Sequence, residues 1–147
     1  MGFPAVRGLN VINLINPQEP GNTSVSAVID RNAYERADSF AITLKVGAAG
    51  AASLYSNISL QLSESDTVSG TAASMTDISG AGISGLTASG QCGILVGSLA
   101  PRKRFLGVQV SVPTTSGFLQ ADLIMGDNAA FPPGTSVDGF TTVVEIA

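Results

Sequence analysis

The chain has 147 residues, of which 44% are hydrophobic and only 12% are charged, and its net charge at pH 7 is −4. This length suits one domain, and seven basic residues against eleven acidic ones provide no basic surface for phosphate groups. No apolar run approaches the ~18 residues of a membrane-spanning helix. We therefore expect neither nucleic acid nor a membrane among the partners of this protein.

The residues that carry most enzyme chemistry are scarce. The chain has no histidine, which is the commonest general base and metal ligand, and its one cysteine, Cys92, has no partner for an internal disulfide. We expect Cys92 to be a small buried apolar residue rather than a nucleophile, because no imidazole can activate it. The composition thus predicts a protein that is not an enzyme, with no catalytic residue, no metal and no cofactor.

Residues 1–24 form a segment of their own. Prolines at positions 4, 17 and 20 bracket the apolar stretch 9–15 and oppose a helix there. This stretch is either a first strand buried on both faces or an extended arm that packs on a neighbouring subunit. Residues 25–147 are predicted to form one jelly-roll-like β domain.

Several short segments alternate apolar residues with polar or small ones, and this period of two is typical of strands. Phe40, Ile42, Leu44 and Val46 show the pattern most clearly, and Leu106, Val108, Val110 and Val112 repeat it. The polar loop at 114–117 predicts a hairpin between 106–112 and 118–125. The stretch 67–93 has few large apolar side chains and predicts a long connection with a short edge strand. The predicted strands are 25–30, 39–46, 56–66, 93–99, 106–112, 118–125 and 140–146, in addition to the short edge strand within 67–93.

These segments predict the fold class. About eight strands separated by Gly, Ser, Thr, Pro and Asp, with no long helix, are typical of a β-sandwich or jelly roll. We therefore expect an all-β, single-domain β-sandwich or jelly roll with an extended N-terminal segment.

Charged residues are concentrated at two places. One is the stretch 31–38, which is either a solvated loop or helical turn or a rim contact with a partner. The other is the triplet Arg102-Lys103-Arg104 before a predicted strand, with the same two interpretations. Glu64 and Asp66 share a strand face, and a solvated strand end is favoured there over a cation site or a catalytic pair.

Three of these segments, in order, resemble the capsid cement (head decoration) proteins of tailed bacteriophages, most of all those of short-tailed phages. They are Ser59-Leu60-Gln61-Leu62-Ser63-Glu64-Ser65-Asp66, then Arg104-Phe105-Leu106-Gly107-Val108-Gln109-Val110, then 118–125 as a hairpin partner. The likeness covers roughly residues 37–125. The long amino-terminal segment and the basic triplet depart from the family pattern.

The resemblance implies a structural virion protein on the outer surface of the phage head, made in the cytoplasm of the host bacterium. It would bind the major capsid protein as a homotrimer on a local three-fold axis and stabilise contacts between capsid subunits. The alternative is a carbohydrate- or receptor-binding β-sandwich of the tail-fibre or adhesin type, which requires surface aromatic residues or bound calcium. The residues expected at a capsid or subunit interface are Phe3, Arg7, Arg31, Arg36, Arg102, Lys103, Arg104 and Phe131.

Overall fold

The alternating segments form β-strands, as their period of two predicts. The computed structural model describes residues 10–18, 24–34, 37–47, 57–67, 71–112, 118–126 and 140–146. Within these ranges it has nine strands and two short 3₁₀ turns, Arg31–Tyr34 and Ala72–Ser74. The strands are β1 (Asn10–Gln18), β2 (Val25–Asp30), β3 (Ser39–Val46), β4 (Ile58–Ser65), β5 (Thr76–Leu86), β6 (Cys92–Ser98), β7 (Phe105–Ser111), β8 (Leu119–Gly126) and β9 (Thr142–Ile146).

The strands form two sheets whose pairing is nested along the chain. One sheet has the order β1-β8-β3-β6-β9 and the other the order β2-β7-β4-β5. The first strand thus pairs with the eighth, the second with the seventh, the third with the sixth and the fourth with the fifth, all antiparallel. Such a nest of pairs, rolled so that β3 also meets β8 and β4 also meets β7, is a jelly roll. β9 adds a parallel edge strand beside β6. The predicted all-β sandwich is confirmed.

Two predictions about the strands are wrong. β7 and β8 do not form a hairpin, because they belong to different sheets; a polar loop suits a crossing between sheets as well as a tight turn. The stretch after residue 75 is not a long connection but one strand of 11 residues, β5. It lies at an edge of its sheet, as expected, and pairs with β4 through two register irregularities. The glycines at 80 and 85, both at positive φ, let this strand twist.

The core lies between the inward faces of the two sheets, and the central strands β3 and β7 supply much of it. Phe40, Ile42 and Leu44 of β3 are fully buried, and so are Leu106 and Val108 of β7. Each such side chain contributes about 1.5–3 kcal/mol when removed from water. The core cluster also includes Ile58, Leu60, Leu62, Ile83, Leu86, Leu95, Leu119, Leu123 and Met125.

The two sides of the sandwich differ. On one side β5 reaches over to the other sheet, where the Thr142 hydroxyl donates to the Ser84 carbonyl at 3.2 Å and Ile83 packs on Gly93. On the opposite side the edge strands β1 and β2 lie next to each other and belong to different sheets. An open groove follows the gap between them.

The turn Ala72–Ser74 packs on Gly107 at the outer side of the four-stranded sheet, so a substitution at Gly107 tests this packing. A Cβ at this position would lie 2.7 Å from the Met75 sulfur and 2.9 Å from the Ala72 Cβ. We predict that Gly107→Ala lowers the free energy of unfolding by about 1–3 kcal/mol, because the turn must move away from β7. Urea unfolding measures this.

The control is Ser111→Ala, at an exposed position of the same strand, which should change the stability by less than about 0.5 kcal/mol. Equal stability of Gly107→Ala and the parent protein would show that the turn does not pack on β7 as described.

Candidate interaction surfaces

The basic triplet lies at one end of the four-stranded sheet. Because β7 begins at Phe105, directly after the triplet, and runs antiparallel to both neighbours, the last residues of β2 and β4 lie next to it. This arrangement gathers carboxylates around the cations. We call the group the charged end; it consists of Asp30, Arg31, Glu64, Asp66, Arg102, Lys103 and Arg104.

Each cation of the triplet has a carboxylate nearby. Arg104 donates to Asp30 through Nη2 at 2.7 Å and Nε at 3.1 Å, a bidentate pair, and its guanidinium lies 4.8 Å from the centre of the Phe105 ring. The pairs Arg102–Glu64 and Lys103–Asp66 are looser, with nitrogen–oxygen distances of 4.0 Å. The hydrogen bonds of Arg104 hold the pKa of the Asp30 carboxyl below its ordinary value.

Backbone groups strengthen the same end. The Arg31 amide donates to the Arg104 carbonyl at 3.0 Å, and the Arg31 guanidinium donates to the Arg102 carbonyl. The Lys103 amide donates to Glu64 Oε2 at 2.9 Å. The loop before β7 is therefore attached to the ends of both β2 and β4.

The charged end brings together Arg31, Arg102, Lys103 and Arg104, which are the expected interface residues within the described part of the chain. The others, Phe3, Arg7, Arg36 and Phe131, lie outside the described residues. Exposure separates the triplet: the Arg102 side chain is 13% exposed, whereas Lys103 is 45% and Arg104 is 50% exposed. Lys103 and Arg104 can therefore reach a partner, and Arg102 serves mainly the protein itself.

The sequence did not indicate that Asp30 is the main partner of Arg104, since the two residues are 74 positions apart. Glu64 and Asp66 are turned toward the triplet, which accounts for the position of these carboxylates without a catalytic pair. Across the described ranges, no three His, Cys, Asp or Glu side chains are grouped as a metal site requires.

The groove between β1 and β2 has a volume of about 240 Å³. Ile12, Leu14 and Ile29 supply apolar walls, and Asn13 and Tyr34 supply polar groups. The Tyr34 ring also lines a second, smaller concavity beside Arg31 and Leu99.

The outward face of the four-stranded sheet is uncharged over its middle rows. Ser26 lies opposite Gln109, which lies opposite Gln61. The Gln61 amide donates to the Ile78 carbonyl at 3.0 Å and so attaches β5 to β4. This face presents small hydroxyls and amides.

The prediction that Cys92 is a buried core residue is wrong. Cys92 is half-buried at the start of β6 and opposes the exposed Lys45 across the outward face of the five-stranded sheet, rather than lying in the core. Strand alternation explains this position, because the inward residue next to it is Gly93.

Comparisons with known proteins do not assign the chain to a family. No family model matches it and no curated protein matches it. A similar solved structure comes from Bacillus endospore appendages, described as a novel family of disulfide-linked pili. It shares 16% sequence identity, the alignment covers 82% of this chain and 88% of that one, and the TM-score is 0.43. At that TM-score the likeness carries no argument about this chain. None of the described helical turns has the length or hydropathy needed to cross a membrane.

The Asp30–Arg104 pair predicts how stability depends on pH. Because the folded-state pKa of Asp30 lies below its ordinary value of 3.8, the unfolded chain binds this proton more readily. The stabilisation is therefore complete above that value and is lost as the pH falls from it through the lowered pKa. We predict that Asp30→Asn unfolds at a lower temperature than the parent at neutral pH and that the two converge in acid.

Thermal unfolding followed by circular dichroism across this pH range measures the effect. Asp77→Asn, at an exposed position of β5, is the control for removing one negative charge. A gap between Asp30→Asn and the parent that persists in strong acid would rule out the pair as its cause.

Proposed function

We propose that this protein is a structural virion protein that binds the outer surface of an assembled phage head and stabilises contacts between major capsid subunits. The resemblance of three strand segments to the cement proteins of tailed phages supports this proposal. The major capsid protein is the partner, and the proposed assembly is a homotrimer on a local three-fold axis. The proposal assigns the protein no catalytic step.

The observation that carries the proposal is the distribution of charge. Four of the five basic residues in the described ranges lie at the charged end, where three of them pair with carboxylates of the same chain. The outward face of the four-stranded sheet carries mostly small neutral side chains. Such faces can be covered by a partner at low desolvation cost, because few charges must leave water.

The mechanism is thermodynamic. A ligand that binds the closed shell, and not the separated subunits, stabilises the shell by mass action. A trimer presents each contact three times, and linking the sites can raise the overall affinity by roughly 10²–10⁴ once the first contact has formed. No individual contact then has to be strong.

Lys103 is the residue of the triplet best placed to add a charged contact. Its partner Asp66 is 71% exposed, so this pair is a surface pair that contributes little to folding. Arg102 and Arg104 hold the loop and the end of β2. Replacing the whole triplet would therefore disturb the protein itself, whereas Lys103 can be changed alone.

We predict that the protein co-sediments with empty heads assembled from the major capsid protein of its own virus. Lys103→Ser should weaken this binding by up to about fivefold, and added salt should reduce the difference, because a rim charge acts through a screened interaction.

Asp66→Ser is the matched control, since it breaks the same ion pair but keeps the cation. It should leave head binding unchanged or slightly stronger. Failure of the folded parent protein to co-sediment with the heads would contradict the proposed function, and equal loss in both variants would remove Lys103 from the contact.

The groove between β1 and β2 supports the alternative, a carbohydrate- or receptor-binding module. Tyr34, Asn13 and Asp30 offer it an aromatic ring, an amide and a carboxylate. Glycan-array binding that Tyr34→Ala abolishes would favour this alternative over the capsid role.

A further inference from the structure

The outward face of the five-stranded sheet differs from that of the four-stranded sheet in carrying large apolar side chains beside a few charged ones. Strand register places these residues side by side. The first row is Val11, Ile124, Ala41, Val96 and Glu145, and the second is Asn13, Asp122, Thr43, Ile94 and Val143. We call these two rows, together with Lys45, Gln120 and Phe118, the outer face.

The outer face has two exposed apolar anchors at opposite ends of neighbouring strands. Val11 is 66% exposed and Phe118 is 49% exposed; the third large apolar residue exposed in the described ranges, Val28, is on the other sheet. Phe118 continues β8, since its carbonyl accepts a hydrogen bond from the Gly47 amide at 2.6 Å. Its Cβ lies 3.3 Å from the position that a Cβ would take on Gly47. It therefore shares the outward side with Gln120 and Ile124.

The central strand of the outer face carries small side chains. Ala41 and Thr43 on the central strand β3 are buried, and larger side chains from β8 and β6 flank them. These two side chains on β3 are thus smaller than Ile124 and Val96 on the neighbouring strands.

We propose that the outer face is the contact between two copies of this chain, related by a two-fold axis that runs across the strands at the level of Ala121. This axis exchanges positions equally far from Ala121 along β8. Phe118 and Ile124 are each three residues from it, and Gln120 and Asp122 are each one. A two-fold contact uses the same surface on both subunits, so every pairing occurs twice.

The pairings made by this axis are complementary in both polarity and charge. Phe118 of one copy comes over Ile124 and beside Val11 of the other, so each aromatic anchor meets the apolar row. Lys45 of β3 lies opposite Gln120 of β8. The two-fold axis places this lysine at the same height along the strands as Asp122 of the other copy, on the neighbouring strand. Each ammonium therefore comes beside a carboxylate of the partner, and strands are spaced about 4.8 Å apart.

This self-association goes beyond the proposed function and does not rest on it. A three-fold arrangement cannot use the outer face in this way, since a two-fold contact joins copies in pairs. The outer face therefore requires an assembly with an even number of chains, which for the proposed homotrimer means two trimers joined face to face.

Light scattering on the purified full chain, across a dilution series, measures the number of chains in the assembly. We expect an even number for the parent. Val11→Asp and Phe118→Asp should halve the assembly, while Val28→Asp, which places the same charge on the other sheet, should leave it unchanged. Circular dichroism confirms that each variant is folded.

A charge exchange tests the axis itself. Lys45→Asp brings like charges together twice and should raise the dissociation constant of the pair by about tenfold or more. The double variant Lys45→Asp/Asp122→Lys should restore association toward that of the parent, which neither single change can do.

A monomer, or a trimer, for the parent would overturn the two-fold contact, as would a dimer that tolerates Val11→Asp and Phe118→Asp. Loss of association in Lys45→Asp without recovery in the double variant would overturn the proposed axis. Heads play no part in these measurements, so their failure is distinct from failure of the capsid role.

Discussion

The burial of the two central strands is the constraint on which the rest of this structure depends. β3 and β7 are each paired on both sides and each covered by the opposite sheet. Their inward residues must therefore alternate without interruption, and a one-residue slip would turn the apolar set outward. Once these strands are fixed, the nested antiparallel pairs determine which strand lies beside which.

The same constraint decides what the outside of the molecule carries. Every residue between two inward positions of a strand points outward, so the outward rows have the other half of the alternating pattern. In β4 and β7 those positions hold Ser59, Gln61 and Gln109, whereas in β6 and β8 they include Ile94 and Ile124. The two outward faces thus differ in polarity although both sheets share one core.

Alternation was sufficient to predict the fold class and most strands. The strand with Phe40, Ile42 and Leu44 is a clear case, because large apolar residues recur at every second position. β5 was missed as a single long strand, since its buried residues Ile78, Ala81 and Ile83 are spaced by three and then two positions, which interrupts the period of two. The formation of one continuous strand here depends on pairing with β4, which no local sequence pattern encodes.

The interaction surfaces were less predictable for a similar reason. The basic triplet is visible in the sequence, but its neutralisation by Asp30 and Glu64 depends on strand ends that are far apart in the chain. Likewise, Val11 and Phe118 look unrelated until β1 pairs with β8. Residue types can be read locally, whereas their juxtaposition follows from the topology.

Charge concentrated at one end and a neutral outward face on the four-stranded sheet suit the proposed role on a capsid shell. The charged end attaches the loop before β7 to its own domain and leaves Lys103 and Arg104 half exposed. This neutral face loses little hydration when a partner packs on it. These features together favour contacts that are broad and individually weak, which is the regime in which symmetry and multiplicity determine affinity.

The stability of the shell itself is the most direct test of the capsid role. The measurement is the melting temperature of empty heads, recorded by calorimetry with and without a saturating amount of the folded protein. If the protein stabilises the shell, the head melting temperature is higher when the protein is present, and the increase grows with the concentration of the protein. An unchanged melting temperature at saturation would contradict the capsid role.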